Sequence, residues 1–171
     1  MNSSTKIVLA FGSNQQGPWG EPAQAVLRAV DELGLLGATL SRISQLVITR
    51  PLGPAPQPDY VNAAAIGETA LETEALLALI KRLEAQAGRL PGPRWGPRPL
   101  DIDIIDFGGA VRGWDVPHDP AHPAHLVLPH PEMHKRSFVL APLAEIAPDW
   151  RHPVSGKTVG ELLAALEAAP T

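Results

Sequence analysis

Six patterned segments follow one another in the order strand, helix, strand, strand, helix, strand, and few architectures accept that order. Lys6 to Phe11 is a short apolar, partly β-branched run that stops at Gly12-Ser13-Asn14, as a buried strand does at a turn. Pro22 opens a helix with Ala23, Val26, Leu27, Val30 and Leu33 at helical spacing and Gly34 as its expected end. Thr39 to Ile48 and Tyr60 to Ile66 read as strands, and the PLGPAPQPD segment between them is too proline-rich to belong to either. Thr73 is the expected cap of a second helix, with Leu76, Leu77, Ile80, Leu83 and Ala87 inward and Gly88 at its end. DIDIIDF, residues 101–107, is the last strand of the set. The connections look like hairpins more than helical crossovers, so the expectation is an α+β sandwich with a mainly antiparallel sheet. Helices are expected on one face of that sheet, leaving the other open for loops to build a site.

Beyond residue 107 the chain runs through a long Gly/Pro/His-rich loop, 108–125, before LVLPHPEMHKRSFVLAPLAEIAP returns to an apolar, helical pattern. A short last helix, Val159 to Leu166, turns Leu162, Leu163 and Leu166 inward. The 171 residues fit one domain, 1–171, with no internal repeat. Proline and glycine make up about a fifth of the chain, above average but below the range of disordered segments, which favours long ordered loops.

Composition removes several classes of function. Without cysteine there is neither a disulfide framework nor a thiolate nucleophile or metal ligand, so any metal must sit on oxygen or imidazole. A formal charge of −4 gives no global field for a nucleic-acid backbone, and the arginines matter by position. The N-terminal apolar run is too short to span a membrane and lacks a small-residue cleavage site, so a cytoplasmic protein is expected. No Walker-type loop and no protein-kinase motif set is present.

Three constellations could carry chemistry. In RWGPRPLDIDIIDF a period of two puts Asp101, Asp103, Ile105 and Phe107 on one strand face and Ile102, Ile104 and Asp106 on the other. Paired carboxylates are hard-oxygen ligands suited to Mg²⁺, and Arg94 and Arg98 lie beside them with guanidinium forks for phosphate oxygens. An isolated Asp-x-Asp is more often a solvated edge strand; here the flanking Trp and arginines turn the reading towards a metal-phosphate site. In LPHPEMHKRSF, His130, Lys135 and Arg136 offer three phosphate contacts, against the bland reading of a surface charge cluster. In TRPLGPAPQPDYVNA, Tyr60 and Asn62 share a face, an aromatic wall and a hydrogen-bonding edge for a flat polar heterocycle, unless they are simply a core Tyr and a strand-end Asn. Glu84 falls four residues after Ile80, a carboxylate beside the core-facing stripe. His118, His122 and His125 are spaced closely enough to tempt a zinc reading, but prolines between them argue against fixed geometry and no site is assigned.

Taken in order, FGSN at 11–14, PLGPAPQPDYVNA, LEAQAGR, RWGPRPLDIDIIDF and LPHPEMHKRSFVLAPL resemble the 6-hydroxymethyl-7,8-dihydropterin pyrophosphokinases over most of the chain. The resemblance implies a ferredoxin-like α+β fold and transfer of pyrophosphate from ATP to a hydroxymethyl-dihydropterin in folate biosynthesis. It implies two Mg²⁺ ions on Asp101 and Asp103, catalytic roles for Arg89, Arg98 and that pair, and ATP contacts from Leu77, Glu84, Arg89, Trp95, Arg98, Ile104, His130 and Arg136. It assigns Thr49, Leu52, Tyr60, Asn62, Trp95 and Phe138 to the pterin, and implies a monomer acting on small molecules, without nucleic acid or membrane. The sequence departs from the family pattern at Leu90-Pro91, where many members carry a second loop arginine, and at Arg50, where a proline is common.

Two other readings compete. A nucleotide-sugar transferase also uses Asp-x-Asp, but it needs a nucleotide-binding α/β domain for which this chain has no room. A non-catalytic ferredoxin-like module explains the fold and leaves the ordered Arg, Trp, Asp, Asp, His and Arg set as coincidence.

Overall fold

Antiparallel pairing dominates the architecture because each strand pair joined through a helix leaves one place open between its members, and a strand running the opposite way fills it. A computed structural model describes residues 3–51, 56–90, 98–115 and 126–168. The order is β1 (Thr5–Ser13), α1 (Pro22–Leu36), β2 (Ala38–Ile43), β3 (Val47–Thr49), β4 (Tyr60–Thr69), α2 (Thr73–Gln86) and β5 (Asp101–Phe107), then a single 3-10 turn (Met133–Lys135), α3 (Ser137–Ile146) and α4 (Val159–Ala168). The sheet runs β2-β4-β1-β5, with β3 also on β4, and every pair is antiparallel. That strand order is the ferredoxin-like one, so the expected fold class holds. Among the described residues no helix is long and apolar enough to cross a membrane.

The expected single helix layer is corrected to two. Ile7, Leu9 and Phe11 of β1 pack with Ile102, Ile104 and the buried faces of α1 and α2. Val8 and Ala10, with Ala64 and Ile105, pack on the other face against Val139, Leu140 and Leu143 of α3 and Val159 and Leu162 of α4. A central strand buried on both faces reads as a continuous apolar run, which is what residues 7–11 are. The layer of α3 and α4 covers only part of its face, and the site described below occupies the rest.

Three of the boundaries that differ from the sequence reading have a clear local cause. The expected strand 39–48 is two strands, because Ser44 interrupts it: its Oγ accepts the Ala64 N–H at 2.9 Å, doing the work of a ladder carbonyl. Thr73 is the first residue of α2 and Glu72 holds the cap position, a shift of one residue of the kind helix ends commonly show. α1 runs past Gly34 and stops at Gly37, whose φ of 124° is the conformation that ends the helix. Gly34 is thus an exposed helix-interior glycine, and a Cβ built there meets nothing within 4 Å. Gly34→Ala is expected to stabilise the protein by about 0.5–1 kcal/mol, read as a raised urea midpoint with unchanged slope.

A β-bulge makes the largest local correction. The β1–β5 register shifts between Val8 and Leu9, which pair with Asp106 and Ile104, so Ile105 is the extra residue. Beyond it the alternation reverses: Phe107 packs with the α1/α2 core, and Asp106 turns to the other side, where it accepts the Trp150 Nε1–H at 2.9 Å and the Gly109 N–H at 3.1 Å. Asp101 and Asp103 lie before the bulge and keep their common face.

Candidate active site

At one end of the sheet the start of β4, the end of β1 and the start of β5 lie side by side, because antiparallel pairing sets Asn62 against Gly12 and Gly12 against Asp101. Tyr60, Asn62, Asp101 and Asp103 therefore look out on the part of the face that α3 leaves uncovered. The result is a cavity of about 280 Å³. Thr49, Tyr60, Asn62 and Phe138 line it together with Arg89, Arg98, Asp101, Asp103, His130 and Arg136. Gly12 keeps the floor open, since a Cβ there would lie 3.0 Å from Asn62 Oδ1 and 3.5 Å from the Tyr60 ring.

The acidic side is built on Arg89. Its Nη1 donates to Glu84 Oε2 at 2.6 Å and to Asp101 Oδ1 at 2.9 Å, and Arg98 Nη1 stands 3.7 Å from the same Asp101 oxygen. Burial alone would weaken the Arg89 charge, but Glu84 and Asp101 outweigh it and hold its pKa above the usual value. Glu84, 2% exposed, also accepts the Ile102 N–H at 2.9 Å, and Lys81 Nζ stands 3.3 Å from its other oxygen. The carboxylate on the apolar stripe is thereby accounted for: it fixes Arg89 and the first turn of backbone in β5, and it lies behind the cavity wall. Burial, then the charge of Asp101, raise its pKa.

Asp103 is pushed up to about 7 by burial and by the neighbouring Asp101. Its side chain still shows 34% of its surface, so water in the cavity moderates that push. His130 is pushed down to about 4 by burial and by Arg136, and is neutral at pH 7. Its Nδ1 accepts the Glu132 N–H at 3.1 Å, which leaves the proton on Nε2, 4.0 Å from Asp103 Oδ2. The backbone N–H of His130 donates to Ile105 O at 2.9 Å, so the residue is fastened to the edge of β5. Behind this loop Trp114 Nε1 donates to Pro129 O at 3.0 Å, and the His152 ring meets those of Trp114 and His134 edge to face, while Trp114 and His134 are tilted to each other by 38°.

On the opposite side, Asn62 Nδ2 donates to Thr49 Oγ1, and Thr49 pairs with Tyr60 across β3 and β4. Burial and then Asp101 raise the Tyr60 pKa, so its hydroxyl stays protonated. The Arg136 guanidinium lies 5.7 Å from the Phe138 ring centroid, within cation–π range.

Several residues named from the sequence fall elsewhere. Leu77 and Ile104 are not brought to the cavity; both pack on the α1/α2 side of the sheet. Lys135 is exposed and pairs with Glu132 at 3.5 Å, because the 3-10 turn directs it to solvent. Leu52, Trp95, Arg94 and the histidines 118, 122 and 125 lie outside the described residues. Asn14 carries more than the sequence reading gave it. It is 2% exposed; its Nδ2 donates to Gln57 Oε1 and Pro58 O, and its Oδ1 accepts the Arg98 N–H at 2.7 Å. With Ser13 Oγ donating to Pro99 O at 2.6 Å, it ties the loop before β4 to the loop before β5, and hence Gln57 to Arg98 on the cavity wall. Nothing in local spacing signals contacts over so long a separation; the only hint is a polar pair ending a buried strand.

The family model for 7,8-dihydro-6-hydroxymethylpterin-pyrophosphokinase matches residues 8–148. A 2-amino-4-hydroxy-6-hydroxymethyldihydropteridine pyrophosphokinase of Pseudomonas aeruginosa is 41% identical over 94% of this chain and 91% of its own length. The enzyme of the same name from Methylorubrum extorquens is 37% identical over 95% of this chain and 94% of its own. Among solved structures, Plasmodium falciparum HPPK-DHPS with pteroate superposes with a TM-score of 0.68 over 96% of this chain at 14% identity, a likeness of fold. The chain spans 43% of that longer protein.

Proposed function

The chain belongs to the 7,8-dihydro-6-hydroxymethylpterin-pyrophosphokinase family and is a pyrophosphokinase of folate biosynthesis, and on that premise we propose how its cavity divides the reaction. ATP phosphates lie on the side of Arg89, Arg98, His130 and Arg136, and the pterin lies between Tyr60 and Phe138 with its polar edge on Asn62 and Thr49. The observation that carries this reading is the pairing of two carboxylates on one strand face with a ring of cations on one side and an aromatic, amide-bearing wall on the other.

Two Mg²⁺ ions belong to the proposal, and the residues fit them. Among the described residues no three His, Asp or Glu side chains gather into a closed cage. Mg²⁺ needs none, since one or two carboxylates with waters and substrate phosphates complete its shell. Asp101 and Asp103 repel each other enough to drive the Asp103 pKa up, and a divalent cation relieves that repulsion. When bound, Mg²⁺ neutralises phosphate charge and aligns the oxygens for in-line displacement.

The remaining work falls to the chain. Arg89 and Arg98 hold phosphate oxygens with forks already oriented by Glu84 and Asp101, so little ordering is left for the moment of transfer. Neutral His130 presents its Nε2–H as a hydrogen-bond donor without demanding a proton from solvent. Asn62, itself held by Thr49, orients the pterin so that its hydroxymethyl oxygen faces the phosphates. The hydroxyl oxygen bonds to the β-phosphorus, the bond to the α,β-bridging oxygen breaks, AMP leaves with the electron pair, and the hydroxyl proton is released. We read the protein as one catalytic unit, cytoplasmic and monomeric. The test is AMP formation from ATP and 6-hydroxymethyl-7,8-dihydropterin: AMP release that requires both the pterin and Mg²⁺ is expected, and its absence with folded protein rejects the assignment.

A further inference from the structure

Pyrophosphoryl transfer leaves anionic oxygens attached to the hydroxymethyl group of the pterin. A neutral hydroxymethyl group enters beside Thr49, Tyr60 and Asn62, and a diphosphate ester leaves from the same place. Most cations of the cavity are committed on the ATP side: Arg89 to Glu84 and Asp101, Lys81 to Glu84, Arg98 to Asp101. Two are not: Arg136, whose guanidinium lies over the Phe138 ring, and Arg50. Arg50 lines the cavity next to Thr49, is exposed, and makes no hydrogen bond or ion pair among the described residues. It follows β3 directly, and the Thr49↔Tyr60 pairing fixes its root beside the aromatic wall.

An unpaired guanidinium at that position has five donors and, among the described residues, no carboxylate to hold. We propose that Arg50 is a product-specificity residue: it binds the diphosphate once that group is on the pterin, and it does not discriminate for the neutral pterin substrate. This inference rests on the pyrophosphoryl-transfer reading above. A hydrogen bond between ionised partners contributes more than one between neutral groups, and exposure to solvent trims that advantage. The consequence is an enzyme that holds its product more tightly than its substrate contacts alone require.

The test is isothermal titration of wild type, Arg50→Ala and Arg50→Lys in the presence of Mg²⁺. Each is titrated with the pterin pyrophosphate, and separately with 6-hydroxymethyl-7,8-dihydropterin together with a non-hydrolysable ATP analogue. Arg50→Ala is expected to weaken the pyrophosphate about five- to tenfold while changing the pterin less than about twofold, and Arg50→Lys to recover part of the loss. The weakening should shrink as salt rises. Unchanged product affinity overturns the proposal, and so does an equal loss for pterin and product, which would make Arg50 part of the pterin pocket itself. Absence of AMP formation by the wild type would instead overturn the reaction on which the proposal rests, so the two failures are distinguishable.

Discussion

Asp101→Asn/Asp103→Asn is expected to abolish pterin-dependent AMP release, with a loss of about 10³-fold or more, while the protein stays folded. Amides keep the size of the two side chains but cannot supply the charge that hard cations need. The fold should not suffer, because neither carboxylate supports the core: Asp101 is 30% and Asp103 34% exposed at the side chain, and both face the cavity. Relief of the Asp101–Asp103 repulsion even favours the native state. Asp103 has a native pKa raised to about 7 from 3.8, so in wild type it binds a proton in the native state over a pH range where the unfolded chain has released it. Stability from that group is therefore fully present below about 3.8 and is lost as pH rises towards 7, a slope the double variant should lack. Thermal or urea unfolding without metal between pH 5 and 8 measures it. If the variant kept its AMP release, the metal-phosphate reading of the strand would fall. If it unfolded, the two carboxylates would have a structural role that the geometry does not indicate.

How much of this was legible in the sequence depends on the range of the contacts involved. Local patterns carry the elements: the Asp101, Asp103 face follows from periodicity and stands in the structure, and so does the β, α, β, β, α, β order but for the split of 39–48 into two strands. Where a neighbour overrides periodicity, the reading went astray. The period-two assignment of Asp106 and Phe107 failed because Ile105 is bulged against β1, and a bulge is decided by the pairing of two strands far apart in sequence. Gly34 is the end that spacing suggests for α1, but here the helix ends where the backbone turns to positive φ, and that occurs at Gly37. The second helix layer was hidden for a different reason. Residues 7–11 are apolar at every position, which signals burial but does not by itself say which elements cover the second face. For the site, Thr49, Tyr60, Asn62, Arg89, Arg98, Asp101, Asp103, His130, Arg136 and Phe138 line one cavity, whereas Leu77, Ile104 and Lys135 are drawn elsewhere by core packing or solvent. Asn14, which fastens two loops together, became visible only once the chain was folded, and Arg50, marked in the sequence only as a departure from the family pattern, is seen there to line the cavity.

Arg89→Ala is expected to be the most damaging single change in the cavity wall, for stability as well as activity. It leaves Glu84 buried at 2% exposure, close to Asp101 and Asp103, with Lys81 as its remaining cationic neighbour. Removing one partner from a buried ion pair costs about 3–5 kcal/mol, much of it the burial of the charge left behind. Glu84 can avoid that cost only by taking up a proton, and its pKa, already raised in the wild type by burial and Asp101, must rise further. A native pKa above the ordinary glutamate value of 4.5 means that the stability of the variant is greatest below that pH and falls as pH climbs through the raised native pKa. The gap between wild type and Arg89→Ala, measured by urea unfolding, should therefore be small near pH 5 and widen towards pH 8. Glu84→Gln reverses the logic. Its amide oxygen can still accept from the Ile102 N–H, and Arg89 keeps Asp101 at 2.9 Å, so the loss should be roughly 1–2 kcal/mol and nearly flat with pH. A pH-independent gap in Arg89→Ala would show that Glu84 is not an uncompensated charge there, and that Lys81 alone suffices to hold it. In that case the role of Arg89 would be confined to the phosphates, and the Glu84–Arg89–Asp101 chain would be a means of orientation with little part in holding the fold.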